Sequence, residues 1–475
     1  MSSQFPVNNL IELAKEGARK VLTDCVDLKP GDVLALFWDE TTSDTAEVLL
    51  EIANEIGLNI RPRRVSLKEQ SDFSSNKGLS LEDKEALESA RGIITCLSNQ
   101  VSGTAYRTEL LRVGTDGDKC FGHMPGANLS VLAHAVNIDY AQASSRCDDL
   151  ALALTLGQVV RLQTYILDSD ANPKQEFNLD FQIGGLFRSP IMSTGIIPLG
   201  TWGNLPGGET FIAPIEDSAN GVFVLNGAFK DYVIKPPAYL LLHFEKGRLV
   251  DIEGTAEERA RFENIVNFAL SYNDTYYDSL AELGIGVNPG IQELTGNALF
   301  DEKCYGTAHI AIGDNSRYGG MYSSRIHEDL ITLKPSLWVD GKPILSYGQD
   351  NFNPKEWRES LDDFLHYYHS LSPDCLVTRT IINAEADADG KLRVRREVAA
   401  GRLCLYTIAQ PETSRLLAKV YLNMIPNLPD PVRLHHIYEQ AKSDLGLSQE
   451  FTEAAVGILQ KHGLINIKPY KDGAD

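Results

Sequence analysis

Two histidines and three carboxylates in this 475-residue chain stand in settings that suit bound divalent cations. Residues 306–330 read GTAHIAIGDNSRYGGMYSSRIHEDL, and a strand followed by a turn has no need of His309, His327 and Asp329. If RIHEDLI is extended, His327 and Asp329 point to one face, ~7 Å apart along the chain, and Glu328 points to the other. An imidazole and a carboxylate so placed can close on one ion or on two adjacent ions, although such a pair taken alone is ordinary on a surface strand. His309 lies just ahead of an apolar run that ends at Gly313. Alone it reads as a satisfied core residue; with His327 and Asp329 it completes a triad of two imidazoles and a carboxylate.

Two glutamates extend the set. Glu209 directly follows Pro206-Gly207-Gly208, and Glu282 precedes the glycine-rich GIGVNPG. Glycine permits close backbone approach. Each glutamate alone reads as a solvated loop charge. In apolar surroundings, however, a carboxylate is costly to bury unless a cation compensates it. Three carboxylates and two imidazoles suit a pair of zinc, manganese or cobalt ions. Other chemistries find no support: there is no GxSxG, no cysteine–histidine pairing, no GxGxxG after the first strand and no GxxxxGK[ST]. Seven scattered cysteines without a CxxC argue against a disulfide framework and a cysteine zinc site and read as buried thiols.

The elements that must position these residues follow from periodicity. NNLIELAKEGARKVLTDCV and SDTAEVLLEIANEIG are amphipathic helices, the second stopped by Gly57, and PGDVLALFWD, LNIRPRRVS and GIITCLS read as strands. Their alternation predicts an α/β domain over 1–185. Residues 186–350 are rich in glycine turns and short apolar strands, among them GVFVLNGAF, AYLLLHFEKGRLVDIEG and HIAIG, with one helix at TAEERARFENIVNFAL. They form a β-rich (α+β) domain that holds the candidate ligands. In 351–475, a hairpin at KLRVRREVAAGRLCLYTI, three helical patterns and the terminal LINIKPY suggest a small winged-helix-like domain.

The formal net charge of −21 disfavours nucleic acid and anionic membranes as partners and is compatible with a peptide or small-molecule substrate. No apolar run reaches the ~18–20 residues of a membrane span, and the N-terminus lacks the signal-peptide succession. The expectation is a cytoplasmic protein with no membrane partner.

Together, NLPGGETFIAP, AELGIGVNPG, TAHIAIGDN with YGG, and SRIHEDLI…PSLWVDGKPIL resemble the aminopeptidase T family of dinuclear metallopeptidases. LKPGDVLALFWDE…EVLLEIANEIGLNI resembles that family's first domain, so the likeness covers about residues 8–348. The resemblance implies Glu209, Glu282, His309, His327 and Asp329 as ligands of two divalent ions (zinc, cobalt or manganese), with N-terminal residues of peptides hydrolysed by a metal-bound hydroxide. Either Glu209 or Glu282 would pass the proton to the leaving amine if it is not a ligand. The family also places a transition-state-stabilising tyrosine after the first histidine. Tyr318 is the nearest candidate, at a longer spacing, and Arg317 beside it is a second donor for the oxyanion. The interval from His309 to His327 is shorter than in the known peptidases, and the tail after 350 lies outside the family pattern. A homodimer is implied by resemblance alone.

Ring-cleaving dioxygenases of the dihydroxypyridine type resemble the same motifs and would hold one Fe(II) on His309, His327 and Asp329. Both Glu209 and Glu282 being present favours two ions and hydrolysis. A third reading is a biosynthetic-pathway protein that binds or processes a carrier peptide through its C-terminal domain.

Overall fold

The computed structural model describes residues 7–74, 78–98, 105–114, 119–183, 188, 190–316, 319–357, 359, 376–379, 383–386, 392–398, 402–407, 417, 419–461 and 464–468. Its first sheet is parallel, ordered Asn59–Arg64, Val33–Trp38, Gly92–Cys96, Cys120–His123 and Thr201–Asn204. VLALFW is apolar throughout because both faces are covered. Leu34 and Leu36 pack under the Val7–Lys20 and Ser43–Ile56 helices. Ala35 and Phe37 pack on the other side with Leu87 and Leu110. Gly57 stops the Ser43–Ile56 helix in the left-handed conformation (φ 85°), as its sequence predicts.

Two antiparallel sheets form the second layer system. One has eight strands, from Arg248–Gly254 at one edge through Leu240–Glu245, Asn220–Leu225, Pro173–Gln182, Val159–Leu167, Ser336–Val339 and Lys342–Ser346 to Gln349–Asp350. The other has seven: Tyr232–Val233, Ala228–Phe229, His327–Thr332, Ala308–Gly313, Leu280–Gly286, Glu209–Ile212 and Ile191–Ser193. One apolar core joins them, with Leu162, Phe181 and Phe223 from the first sheet against Ile285, Ile310 and Leu330 from the second. The Ala256–Ser271 helix adds Phe262 and Ile265 to that core.

The strands interleave around the domain boundary expected at residue 185. The Val159–Leu167 and Pro173–Gln182 hairpin, N-terminal to it, belongs to the eight-stranded sheet, and Thr201–Asn204, C-terminal to it, is an edge of the parallel sheet. Hydrogen-bond partnership across the sheets decides this, and local periodicity carries no trace of it. Likewise Trp357, beyond the boundary expected at 350, is buried in the core of the sandwich.

In the tail, Leu392–Val398 and Arg402–Thr407 pair antiparallel as the expected hairpin. The Leu434–Leu445 and Gln449–Lys461 helices follow, and Ile465–Lys468 joins a three-stranded sheet with Leu376–Arg379 and Val432–Arg433. Leu434, Ile437, Val456 and Leu459 form their common core. Cys25, Cys96, Cys120, Cys147 and Cys304 are buried free thiols. No helix among the described residues is long and apolar enough to cross a membrane.

Candidate metal centre

The seven-stranded sheet presents all five candidate ligands on the face turned away from the sandwich core. Alternation accounts for it: Ile310 and Leu330 point into the core, so His309 and Asp329 point out. The Glu209–Ile212, Leu280–Gly286, Ala308–Gly313 and His327–Thr332 strands lie side by side, which brings residues 120 positions apart in sequence to one spot. A bulge shifts the register between Leu280 and Glu282, setting Glu282 opposite Ala311 and Gly284 opposite His309. Bulges of this kind re-aim a side chain.

His309 Nε2 lies 3.2 Å from Glu209 Oε1 and 3.2 Å from Glu282 Oε1. His327 Nε2 lies 3.3 Å from Glu282 Oε2 and 3.4 Å from Asp329 Oδ1. The five groups therefore form two triads, Glu209–Glu282–His309 and Glu282–His327–Asp329, whose ligand atoms lie within 4.8 Å of one another. Glu282 belongs to both and turns one oxygen to each imidazole. The first triad is buried, whereas the His327 side chain is 24% exposed, so the centre meets solvent on the His327 side.

The supporting backbone is specific. A Cβ on Gly284 would stand 2.1 Å from His309 Cε1 and Nε2, so the imidazole lies on a backbone that must carry no side chain. Gly208, at φ 111°, carries the chain past Asn288 into Glu209. Asn288 in turn donates to Gly207 O at 2.6 Å and to Ala135 O at 2.9 Å, tying this loop to the N-terminal helical layer. His327 Nδ1 is 2.7 Å from the Asp314 carbonyl. An acceptor there requires a proton on Nδ1, so that Nε2 presents its lone pair to the triad once its own proton is lost, the arrangement that orients metal-ligating histidines.

The electrostatics match a cation site. Burial by itself would lower both imidazole pKa values, yet Glu209 and Glu282 hold His309, and Asp329 and Glu282 hold His327, well above the ordinary range. Burial would raise the Asp329 carboxyl, but His327 beside it pulls it below its ordinary value. Glu209 is likewise lowered against burial, by Lys303 and His309. Four of the five groups thus favour their charged forms, through one another and, for Glu209, through Lys303. His309 Nδ1 and Asp329 Oδ1 are buried without a hydrogen bond. Convergent carboxylates, imidazole nitrogens turned inward and these unsatisfied atoms fit divalent ions.

Three participants escaped the sequence reading. Lys303 is fully buried, with Nζ 3.2 Å from Glu209 Oε2, and it also contacts Glu302 Oε1. In the sequence DEKCYG is an ordinary charged turn, which offers no signal of burial. Arg188 and Glu216 form a buried ion pair. Arg188 donates to Gly319 O at 2.6 Å, and Glu216 Oε1 accepts from Met321 N at 2.8 Å and Asn315 Nδ2 at 3.1 Å. That pair anchors the loop joining the His309 and His327 strands. Arg317 and Tyr318, expected in this loop, lie outside the described residues.

Two further histidines are explained locally. His123 is buried, 2.7 Å from Thr95 Oγ1 and accepting from Arg107 Nε at 2.7 Å, and burial lowers its pKa well below the ordinary value. His243 pairs with Glu253 at 3.1 Å across an exposed antiparallel ladder.

Comparison with known proteins bears on this centre. Residues 199–341, which contain all five groups, match the family model described as thermophilic metalloprotease (M29). The chain is 27% identical over 172 residues to the 2,5-dihydroxypyridine 5,6-dioxygenase of Pseudomonas putida KT2440, a stretch covering 34% of this chain and 47% of that relative. It thus spans about half the length of the curated relative it matches. The solved structure of 2,5-dihydroxypyridine dioxygenase from the same organism superimposes with a TM-score of 0.53 at 17% identity, over 73% of this chain and 99% of that one, and shows a shared fold. AmpT from Thermus thermophilus aligns over the same shares with a TM-score of 0.49 at 14% identity.

Proposed function

We propose that this chain is a metal-dependent aminopeptidase that removes N-terminal residues from peptides at a dinuclear centre. The observation that carries the reading is Glu282, whose two oxygens face two different imidazoles and so join two ligand triads. The match of residues 199–341 to a metalloprotease family supports it. Glu209, Glu282 and His309 would hold one ion, and Glu282, His327 and Asp329 the other. Divalent ions there would polarise a scissile carbonyl and lower the pKa of water.

The chain's own residues supply the rest. Substrate enters on the partly exposed His327 side. Both oxygens of Glu209 and of Glu282 are already engaged, which favours ligand roles for them over proton transfer. Tyr318 or Arg317, in the loop anchored by Arg188 and Glu216, is the proposed donor to the tetrahedral oxyanion.

A single Fe(II) on His309, His327 and Asp329, as a dioxygenase would need, fits less well. His309 groups with the two glutamates and His327 with Asp329, so closing these three on one ion would require side-chain movement. The likeness to the dihydroxypyridine dioxygenase keeps that reading as the rival.

Metal analysis of protein purified without chelator, combined with Glu282→Ala, decides between them. We expect two zinc-like ions per chain, hydrolysis of amino-acid p-nitroanilides, and a loss of about 10²-fold or more in kcat/KM for the variant, since it removes a ligand from both sites. One iron per chain, oxygen-dependent cleavage of a dihydroxypyridine and tolerance of Glu282→Ala would refute the peptidase.

A further inference from the structure

Lys303 is a buried ammonium that the proposed chemistry leaves without a role. Its Nζ holds Glu209 Oε2 at 3.2 Å and contacts Glu302 Oε1. Lys303 thus bridges two carboxylates, Glu209 and Glu302. Lysines are almost never fully buried unless paired, and this one is paired to a carboxylate that is itself a candidate ligand.

The geometry divides Glu209. Oε1 faces His309, and Oε2 is occupied by the ammonium. Glu282, with no such partner, offers both oxygens. We infer that Lys303 is a positioning residue of the metal centre, a built-in cation that limits Glu209 to one ligand oxygen and thereby sets the affinity of the Glu209–Glu282–His309 site apart from that of its neighbour. The inference rests on the dinuclear reading above. Lys303 is fully buried and acts through Glu209. Groups that hold a ligand in place are worth about 10–100-fold in metal affinity.

The test is cobalt titration of the full-length apoprotein, followed by visible absorption and by chelator competition. The wild type should bind two ions. Lys303→Met should weaken the ion at the Glu209 site by about 10–100-fold and leave the other near its wild-type affinity. Lys303→Arg, which keeps the charge, should hold both. In an Asp329→Asn background, where the retained ion sits at the Glu209 site, Lys303→Met should weaken that ion. If Lys303→Met does not fold, Lys303→Gln carries the same expectation. Two ions in the wild type with unchanged or tighter binding at the Glu209 site in the Met or Gln variant would overturn the inference and leave the dinuclear reading standing. A wild type that binds fewer than two ions overturns both.

Discussion

Residue-scale chemistry at this centre turns on a missing methyl group and on shared protons. Gly284 has no positive φ, so alanine there meets no backbone strain, but its Cβ would collide with the His309 ring at 2.1 Å. Gly284→Ala should displace His309, with an overpacking cost of about 1–3 kcal/mol. Metal content should fall at the Glu209–Glu282–His309 site more than thermal stability alone would explain. Metal analysis beside a melting curve checks this, and full metal content in the variant would contradict it.

The imidazoles also set the pH dependence. His309 and His327 bind protons more tightly when folded than the unfolded value of about 6.5. Their contribution to apoprotein stability is therefore complete below that value and lost as pH rises through the raised folded values. Glu209 and Asp329, lowered in the fold, lose theirs as pH falls through their folded values. Divalent ions require neutral imidazole, so binding must expel these protons. We expect apparent metal affinity to climb with pH from neutrality upward, and proton release to show in calorimetry run in buffers of different ionisation enthalpy. Metal binding without proton release at pH 7 would contradict the assignment.

At the scale of elements, the loop between the two histidine strands depends on a buried ion pair. Removing one partner of such a pair costs about 3–5 kcal/mol, because it strands the other charge. Arg188→Leu should therefore lower stability markedly, and Arg188→Leu with Glu216→Leu should recover part of the loss. Urea unfolding of the single and double variants reads this directly; equal effects would mean that Glu216 is not stranded. If Tyr318 or Arg317 serves the oxyanion, the same single variant should also reduce kcat more than it raises KM.

For the molecule as a whole, the sandwich extends past the boundary drawn at residue 350. Trp357 is buried in its core with the Lys342 ammonium 4.3 Å from the ring centroid, and Arg146 pairs with Asp350 at 2.6 Å and lies over the Phe352 ring. Truncation of an aromatic of this size costs about 3–5 kcal/mol. Trp357→Ala should thus lower the melting temperature of the metal-binding portion, whereas a chain ended after residue 359 should retain the metal centre. Loss of metal binding in that shortened chain would show that the tail, with its separate core, supports the site.

Much of this protein was legible from its sequence. Helix and strand periods are local, so VLALFW, SDTAEVLLEIANEIG and the Leu392–Thr407 hairpin announce themselves. The five candidate ligands stand out because imidazoles and carboxylates beside glycines in apolar runs need a reason to be there. How those five divide into two triads around Glu282 was settled only by strand register and a bulge, which depend on hydrogen bonds between segments far apart in the chain. The burial of Lys303, the clasp of Arg188 on Glu216 and the place of Trp357 were likewise decided only by the tertiary structure. A charged or aromatic residue carries no mark of which distant surface will close over it.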